Sequence, residues 1–399
     1  MSKDNIDFFS RKRQWSRTKD SLLEAYLSPY LAKILHTRRP LLYVDCFAGK
    51  GVFGDGEPGS PLIACSSIQE ALERTRSGNH AVNAFFVEKS YASELQENIN
   101  GFGFARAIEG DYDSACEDLL KVDSHRNVFL YVDPFGIKYL DLGFFIRLAQ
   151  RYDSAEILIN LNSFGFFRAA CSIYGVEYSD VDAFDELVER EPSSFEGSEG
   201  IEMLNRVAGG DYWKKMVEDY KSGRIDGYVA ERQFSEAFCE KLRQGYAYVL
   251  NMPIRLKAGQ RPKYRMVHAC NHEDGCILMY DNMQRRQVEM QTIQRGGQTS
   301  MFFDDSDSVM VDELLIKSRL REHLLQITVP TKLEVALAQF VTREGLTLPL
   351  SELKSMVKEF DRDGSVRLIR TPAQTESGRP SIFMESKGEK VVMVVVGNA

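Results

Sequence analysis

Apolar residues gather in short unbroken runs at 41–46, 82–87, 127–132 and 156–161, with a weaker run at 104–108. None alternates cleanly with polar positions. A strand of that kind is buried on both faces, as in the interior of a parallel sheet. Between the runs, at 61–76, 92–99, 114–120 and 141–151, the spacing predicts helices. Ser60 suits the N-cap of the first of these and Pro61 its first turn. Ahead of them, 16–35 predicts an amphipathic helix with Leu22, Leu23, Tyr26, Leu27 and Tyr30 along one face. Strand–helix alternation predicts right-handed βαβ units and a doubly wound, mostly parallel sheet, a Rossmann-like α/β domain.

After the fifth strand the pattern loosens. Residues 174–210 are acidic and poor in periodicity and read as an insertion. A helix is predicted over 229–243, then strands at 246–252 and 264–269. These features place an α/β domain at 1–295, a linker at 296–310 and a second unit at 311–399. The second unit predicts helices at 311–325, 331–344 and 351–360, then extended runs at 366–369, 381–385 and 391–396. Thr331 and Glu334 have the spacing of a capping box. Three helices followed by a hairpin give a winged-helix-like α+β pattern; a small α+β dimerisation module would read the same way.

Composition narrows the class. A chain of 399 residues favours two or three units, and 43% hydrophobic with 27% charged residues is ordinary for a globular protein. No apolar run reaches the roughly 18 residues of a membrane span, and the first fifteen residues lack a signal-peptide core. Seven cysteines without a pairing framework point to a reducing cytoplasm. A net charge of −8 excludes a protein coated in positive charge, but it leaves room for a local basic groove.

The chemistry lies at the strand ends. Strand one runs into Asp45-Cys46-Phe47-Ala48-Gly49-Lys50-Gly51, whose glycines let backbone turn tightly and approach a ligand. The acid ahead of them suits a cationic ligand better than a pyrophosphate. S-adenosylmethionine carries both a sulfonium and an ammonium. Strand two ends at Glu88, placed to accept ribose hydroxyls or to stand as a solvated charge beside Lys89. Strand three ends at Asp111, which can bind adenine or cap a helix. Strand four delivers Asp133-Pro134-Phe135-Gly136 to the topological switch region. There a carboxylate, a fixed turn and an aromatic ring can hold a planar amine, or the Asp-Pro pair simply ends the strand. Strand five ends in Asn160, Asn162 and Ser163, with the last two also natural helix caps.

Two other patterns compete. His268, Cys270, His272 and Cys276 form H-x-C-x-H-x3-C, but His268 and Cys270 fall in a predicted strand, so no metal site is expected. Arg255, Lys257, Arg261, Lys263 and Arg265 make a basic segment without an acid, read as a phosphate track or a solvated loop. Arg362, Arg367, Arg370 and Arg379 surround the predicted wing and suit a nucleic-acid backbone or a docked protein.

Trp15 with Lys19, YVDCFAGKG, GSPLIA, FFVEKS, GDYD, YVDPFG and ILINLNSFG together resemble the three-Cys-motif partner protein family over residues 15–290. That family looks like class I methyltransferases. The resemblance implies S-adenosylmethionine at Asp45, Phe47, Gly49, Gly51, Glu88 and Asp111, substrate at Asp133, Pro134 and Phe135, and a partner protein bearing a three-cysteine motif. DPFG lacks the second proline of the D/N-P-P-Y/F signature of amino methyltransferases. The expectation is an S-adenosylmethionine-dependent methyltransferase acting on nucleic acid, with a base amine as a candidate acceptor. The alternative is a non-catalytic methyltransferase-fold protein that senses nucleotides or serves as a scaffold.

Overall fold

A computed structural model describes residues 11–75, 81–119, 121–134, 136–176, 197–255, 262–294 and 312–395. The linker at 296–310, Lys257, Arg261, Phe135 and the stretch 177–196 of the expected insertion lie outside the described residues.

The chain opens with α1 (Gln14–Ile34) and continues through β1 (Leu41–Asp45), α2 (Ser60–Arg74), β2 (Val82–Glu88), α3 (Ala92–Ile99), β3 (Ala105–Glu109), α4 (Tyr112–Leu119), β4 (Asn127–Val132), α5 (Leu142–Arg151) and β5 (Ser154–Leu161). Then come α6 (Ser163–Ile173), α7 (Gly197–Ala208), α8 (Trp213–Lys221), α9 (Gly227–Leu242), β6 (Tyr248–Ile254), β7 (Tyr264–Cys270) and α10 (Glu273–Gln294). The seven strands form one sheet in the order β3-β2-β1-β4-β5-β7-β6. Strands β1 to β5 are parallel, and β7 runs antiparallel to both β5 and β6. This is a Rossmann-like α/β fold of the methyltransferase type. The central strands β1, β4 and β5 are buried almost throughout, which is why they read as solid apolar runs. Strand β3, at the sheet edge, is largely exposed.

The helix α1 lies across one sheet face with Leu22, Leu23, Tyr26, Leu27 and Tyr30 buried, as its periodicity predicts. Its packing is completed by α10, a 22-residue helix that the sequence pattern does not predict. Helix α10 buries Cys276, Met279, Tyr280 and Met283 in a core continuous with both the sheet and the C-terminal unit. Covered from two sides, it has no single apolar stripe to betray it. Within the expected insertion, 197–208 is helical and buries Leu204, Val207 and Ala208.

The C-terminal unit comprises α11 (Glu313–Leu325), β8 (Thr331–Lys332), α12 (Leu333–Glu344), α13 (Leu350–Asp363), β9 (Arg367–Thr371) and β10 (Val391–Val395). Its antiparallel sheet has the order β8-β10-β9, a winged-helix-like arrangement. Three local expectations change. Thr331 pairs in β8 and Glu334 accepts from Ser386, so no capping box forms. Residues 381–385 stay outside the ladder, because β9 pairs directly with β10. Ser60 lies inside α2, whose N-cap is Gly59, and its hydroxyl turns instead to Asp45. Among the described residues, no helix is long and apolar enough to cross a membrane.

Candidate active site

The carboxyl ends of the parallel strands β1, β2 and β4 lie on one edge of the sheet, where folds of this kind hold their ligand crevice. After β1 the chain turns through Gly49 (φ 62°) and Gly51 (φ 81°), values that L-residues with side chains seldom adopt. A Cβ on Gly51 would stand 3.1 Å from Leu95 Cδ1 on α3. The loop is held by Glu88, whose Oε2 accepts from Gly49 N (3.0 Å) while Oε1 accepts from Ser90 N (2.8 Å). Glu88 thus ties the tip of β2 to the glycine turn. Phe47 stacks on Tyr112, ring centres 5.1 Å apart.

Asp45 has a different place from the one its position suggests. It is fully buried, with Oδ1 accepting from Phe47 N (3.1 Å) and Oδ2 from Ser60 Oγ (2.6 Å). Burial pushes its carboxyl up to about 7, against the opposing pull of those two hydrogen bonds. Asp45 therefore clamps the turn to the start of α2 from within the fold and does not face the crevice. Asp111 is exposed and caps α4, accepting from Ser114 N (3.0 Å); those hydrogen bonds hold its carboxyl below the ordinary value.

At β4 the half-exposed Asp133 is engaged on two sides. Lys19 Nζ from α1 donates to Oδ1 (2.8 Å) and Oδ2 (2.6 Å), and Asn160 Nδ2 from β5 donates to Oδ1 (2.6 Å). Lys19 is almost fully buried and lies 5.5 Å from the Tyr264 ring. Beside it, Asp20 pairs with Lys12 (2.8 Å), and burial raises the Asp20 carboxyl to about 6 despite that pairing. Lys12 Nζ also donates to Pro58 O (2.7 Å), so residues 12–20 rest on the loop that follows the glycine turn. Tyr43 and Tyr131 hydroxyls and Asn160 Oδ1 are buried without a hydrogen-bond partner. Pro134 is buried next to Asp133.

Lys19 enters the sequence reading only through the family resemblance. Its own signal is a lysine one helical step before Leu22 and Leu23, on the buried stripe of an amphipathic helix. A charge there needs a buried partner.

The basic candidates divide. Arg370 is mostly buried and holds the wing to α13, donating to Asp361 Oδ2 (3.1 Å) and Phe383 O (3.0 Å); it is not a free phosphate contact. Arg265 is bound to the buried Glu231 by two hydrogen bonds (2.6 and 2.8 Å). Lys263 is buried 5.0 Å from the Tyr264 ring, and Arg255 is half-buried. Arg362, Arg367 and Arg379 are exposed. The exposed face of α13 mixes Lys358 and Arg362 with Glu352, Glu359 and Asp363, so it forms no uniform positive stripe. Of the H-x-C-x-H-x3-C residues, His268 faces Glu156 and Cys276 lies against Thr342 of α12.

No protein-family model matches the sequence. No curated relative matches it either. Among solved structures, the chain is similar to a candidate O-methyltransferase from Klebsiella pneumoniae, with 10% identity and TM-score 0.29 over 67% of this chain and 95% of that one. It is also similar to Aeropyrum pernix fibrillarin with natively bound S-adenosyl-L-methionine, with 13% identity and TM-score 0.27 over 62% and 76%. A candidate zinc-dependent alcohol dehydrogenase from Rhodobacter sphaeroides matches at 15% identity and TM-score 0.25 over 63% and 98%. Likenesses at this level carry nothing about substrate or reaction.

Proposed function

We propose that this chain is an S-adenosylmethionine-dependent methyltransferase whose substrate is a nucleic acid, and that it belongs with the three-Cys-motif partner proteins it resembles. The observation that carries the reading is the glycine turn after β1, with Gly49 and Gly51 both at positive φ and Glu88 bonded across it. Bare backbone at Gly49 gives a ligand close approach, while Gly51 lets the loop close against Leu95. Glu88 accepts from the N–H groups of Gly49, Ser90 and Tyr91 and keeps about one lone-pair site for a hydroxyl donor such as that of a ribose. These residues fit S-adenosylmethionine, which supplies an electrophilic methyl group when bound. Phe47, and Asp111 through its exposed carboxylate, remain the nearby candidates for the adenosine moiety. Asp133 and Pro134 stand where the substrate enters.

For substrate binding, the exposed Arg367 and Arg379 of the wing, together with Arg255, Lys257 and Arg261, form the proposed nucleic-acid surface. A partner protein with a three-cysteine motif is proposed alongside it.

Titration calorimetry with S-adenosylmethionine tests the assignment. Wild type binds, and Gly49→Val loses binding by at least about tenfold while circular dichroism shows an intact fold. Equal affinity in the variant refutes the site. A wild type that binds no S-adenosylmethionine replaces the enzyme reading with the scaffold.

A further inference from the structure

Lys19 has three N–H donors. Two go to Asp133; no hydrogen bond among the described residues takes the third, and the Tyr264 ring lies 5.5 Å from the ammonium. Asp133 has about four lone-pair sites, of which Lys19 takes two and Asn160 one, leaving room on Oδ2 for one more donor. The side chain is 23% exposed, so it is partly open to solvent. The pair therefore presents one acceptor site and one cationic donor side by side.

A hydroxyl fits both. Its O–H donates to Asp133, one oxygen lone pair accepts from Lys19, and the second lone pair is free to attack. An amine nitrogen cannot do this. Its single lone pair must attack, which leaves nothing for Lys19 to donate to. It would also gain positive charge beside a buried ammonium, whereas an oxygen losing its proton gains negative charge that the ammonium stabilises.

We propose that the acceptor is a hydroxyl oxygen and that Lys19 and Asp133 hold and activate it together. This inference rests on the methyltransferase reading above. The hydroxyl oxygen forms the new bond to the methyl carbon as the carbon–sulfur bond breaks. Sulfur keeps that electron pair and becomes a neutral thioether. The hydroxyl proton passes to Asp133 and from there to solvent. Within a nucleic acid the substrate class follows. Internal sugars of DNA have no free hydroxyl, and those of RNA carry one at the 2′ position. The substrate is therefore RNA, methylated on ribose.

The test uses the full chain with S-[methyl-3H]adenosylmethionine and bulk RNA, with bulk DNA in parallel. Alkaline cleavage of RNA needs the 2′-hydroxyl as nucleophile. Ribose methylation therefore leaves label in alkali-resistant dinucleotides, and base methylation leaves it in mononucleotides. The expected result is label in dinucleotides, none in DNA, and a loss of about 100- to 1000-fold in Lys19→Met. Calorimetry should show Lys19→Met binding S-adenosylmethionine within about twofold of wild type. A second readout needs no turnover. With S-adenosylhomocysteine present, fluorescence anisotropy should show a 20-mer RNA binding more tightly than the DNA of the same sequence, with the difference lost in Lys19→Met. Label in mononucleotides or DNA, undiminished label in Lys19→Met, or no label in either nucleic acid despite bound cofactor overturns the proposal. Should Lys19→Met fail to fold, the position of label in the wild-type product still decides. Failure of wild type to bind S-adenosylmethionine instead defeats the methyltransferase reading beneath it.

Discussion

Helix α1 meets the sheet through two carboxylates, and the two contacts have different fates. Lys19 engages Asp133 at the carboxyl edge; Tyr26, two helical turns later, donates its hydroxyl to Glu156 deeper in the same face. His268 Nε2 also approaches Glu156, at 3.2 Å. Asp133 is 23% exposed, while Glu156 and His268 are 9% and 1% exposed. The inner cluster thus has ionisable groups of the kind found in active sites and no route for a substrate. Burial and the adjacent Glu156 push the Tyr26 hydroxyl far above its ordinary value, so it serves only as a donor. A paired carboxylate alone does not mark chemistry. What separates the outer pair is an open valence at a strand end that solvent can reach.

Two substitutions probe that division, and a third tests the buried Asp45. The largest effect is expected from Asp133→Asn. Losing the proton acceptor should slow single-turnover methyl transfer by about 100- to 10,000-fold, with S-adenosylmethionine affinity nearly unchanged. Wild-type turnover in this variant would erase the functional half of the contrast. Next is Glu156→Leu, which leaves Tyr26 and His268 buried without their acceptor. Urea unfolding should show a loss of about 3 kcal/mol, while cofactor affinity is retained. If the variant is instead stable and inactive, the inner cluster belongs to the site and the division fails.

The smallest effect is a pH dependence. The Asp45 carboxyl, at about 7, lies above the ordinary value of 3.8, and Asp20 follows at about 6. A raised pKa means that stability is full below about pH 4 and is lost as pH rises through 6 and 7. Asp45→Asn should remove part of that slope. Between pH 5 and 8, its melting temperature should fall less than that of wild type, by about 1 to 2 °C. Parallel melting curves would show that Asp45 is not the titrating group.

Much of this architecture is legible in the chain. Parallel strands covered on both faces write themselves as apolar runs, and the acids at their ends stand out by contrast. The direction in which each acid is used is not legible. Asp45 sits at a strand tip like Glu88, yet it turns inward to Ser60, because a small hydroxyl residue at the start of α2 offers it a partner. Arg265 and Arg370 count as basic residues in any local window. Their partners, Glu231 and Asp361, come from other elements, and pairing removes them from the surface. Glu156 carries no sequence signal, because one polar residue at the head of an apolar strand looks like its boundary. Helix α10 was hidden by being packed on two sides, which spreads its apolar positions around the axis.

The partners of α1 are distant along the chain. Lys19 and Asp133 are 114 residues apart, Tyr26 and Glu156 are 130 apart, and Asn282 donates to the Leu22 carbonyl across 260. During synthesis, at about 5 to 20 residues per second, α1 emerges many seconds before the strands and the helix that cover it. Its apolar stripe and the Lys19 ammonium must wait, exposed, for a closure that carries a large loop entropy. The crevice is therefore finished late in folding. A chain halted before α10 leaves the ribosome would hold every strand-tip acid and still lack part of the packing that seats Lys19 over Asp133.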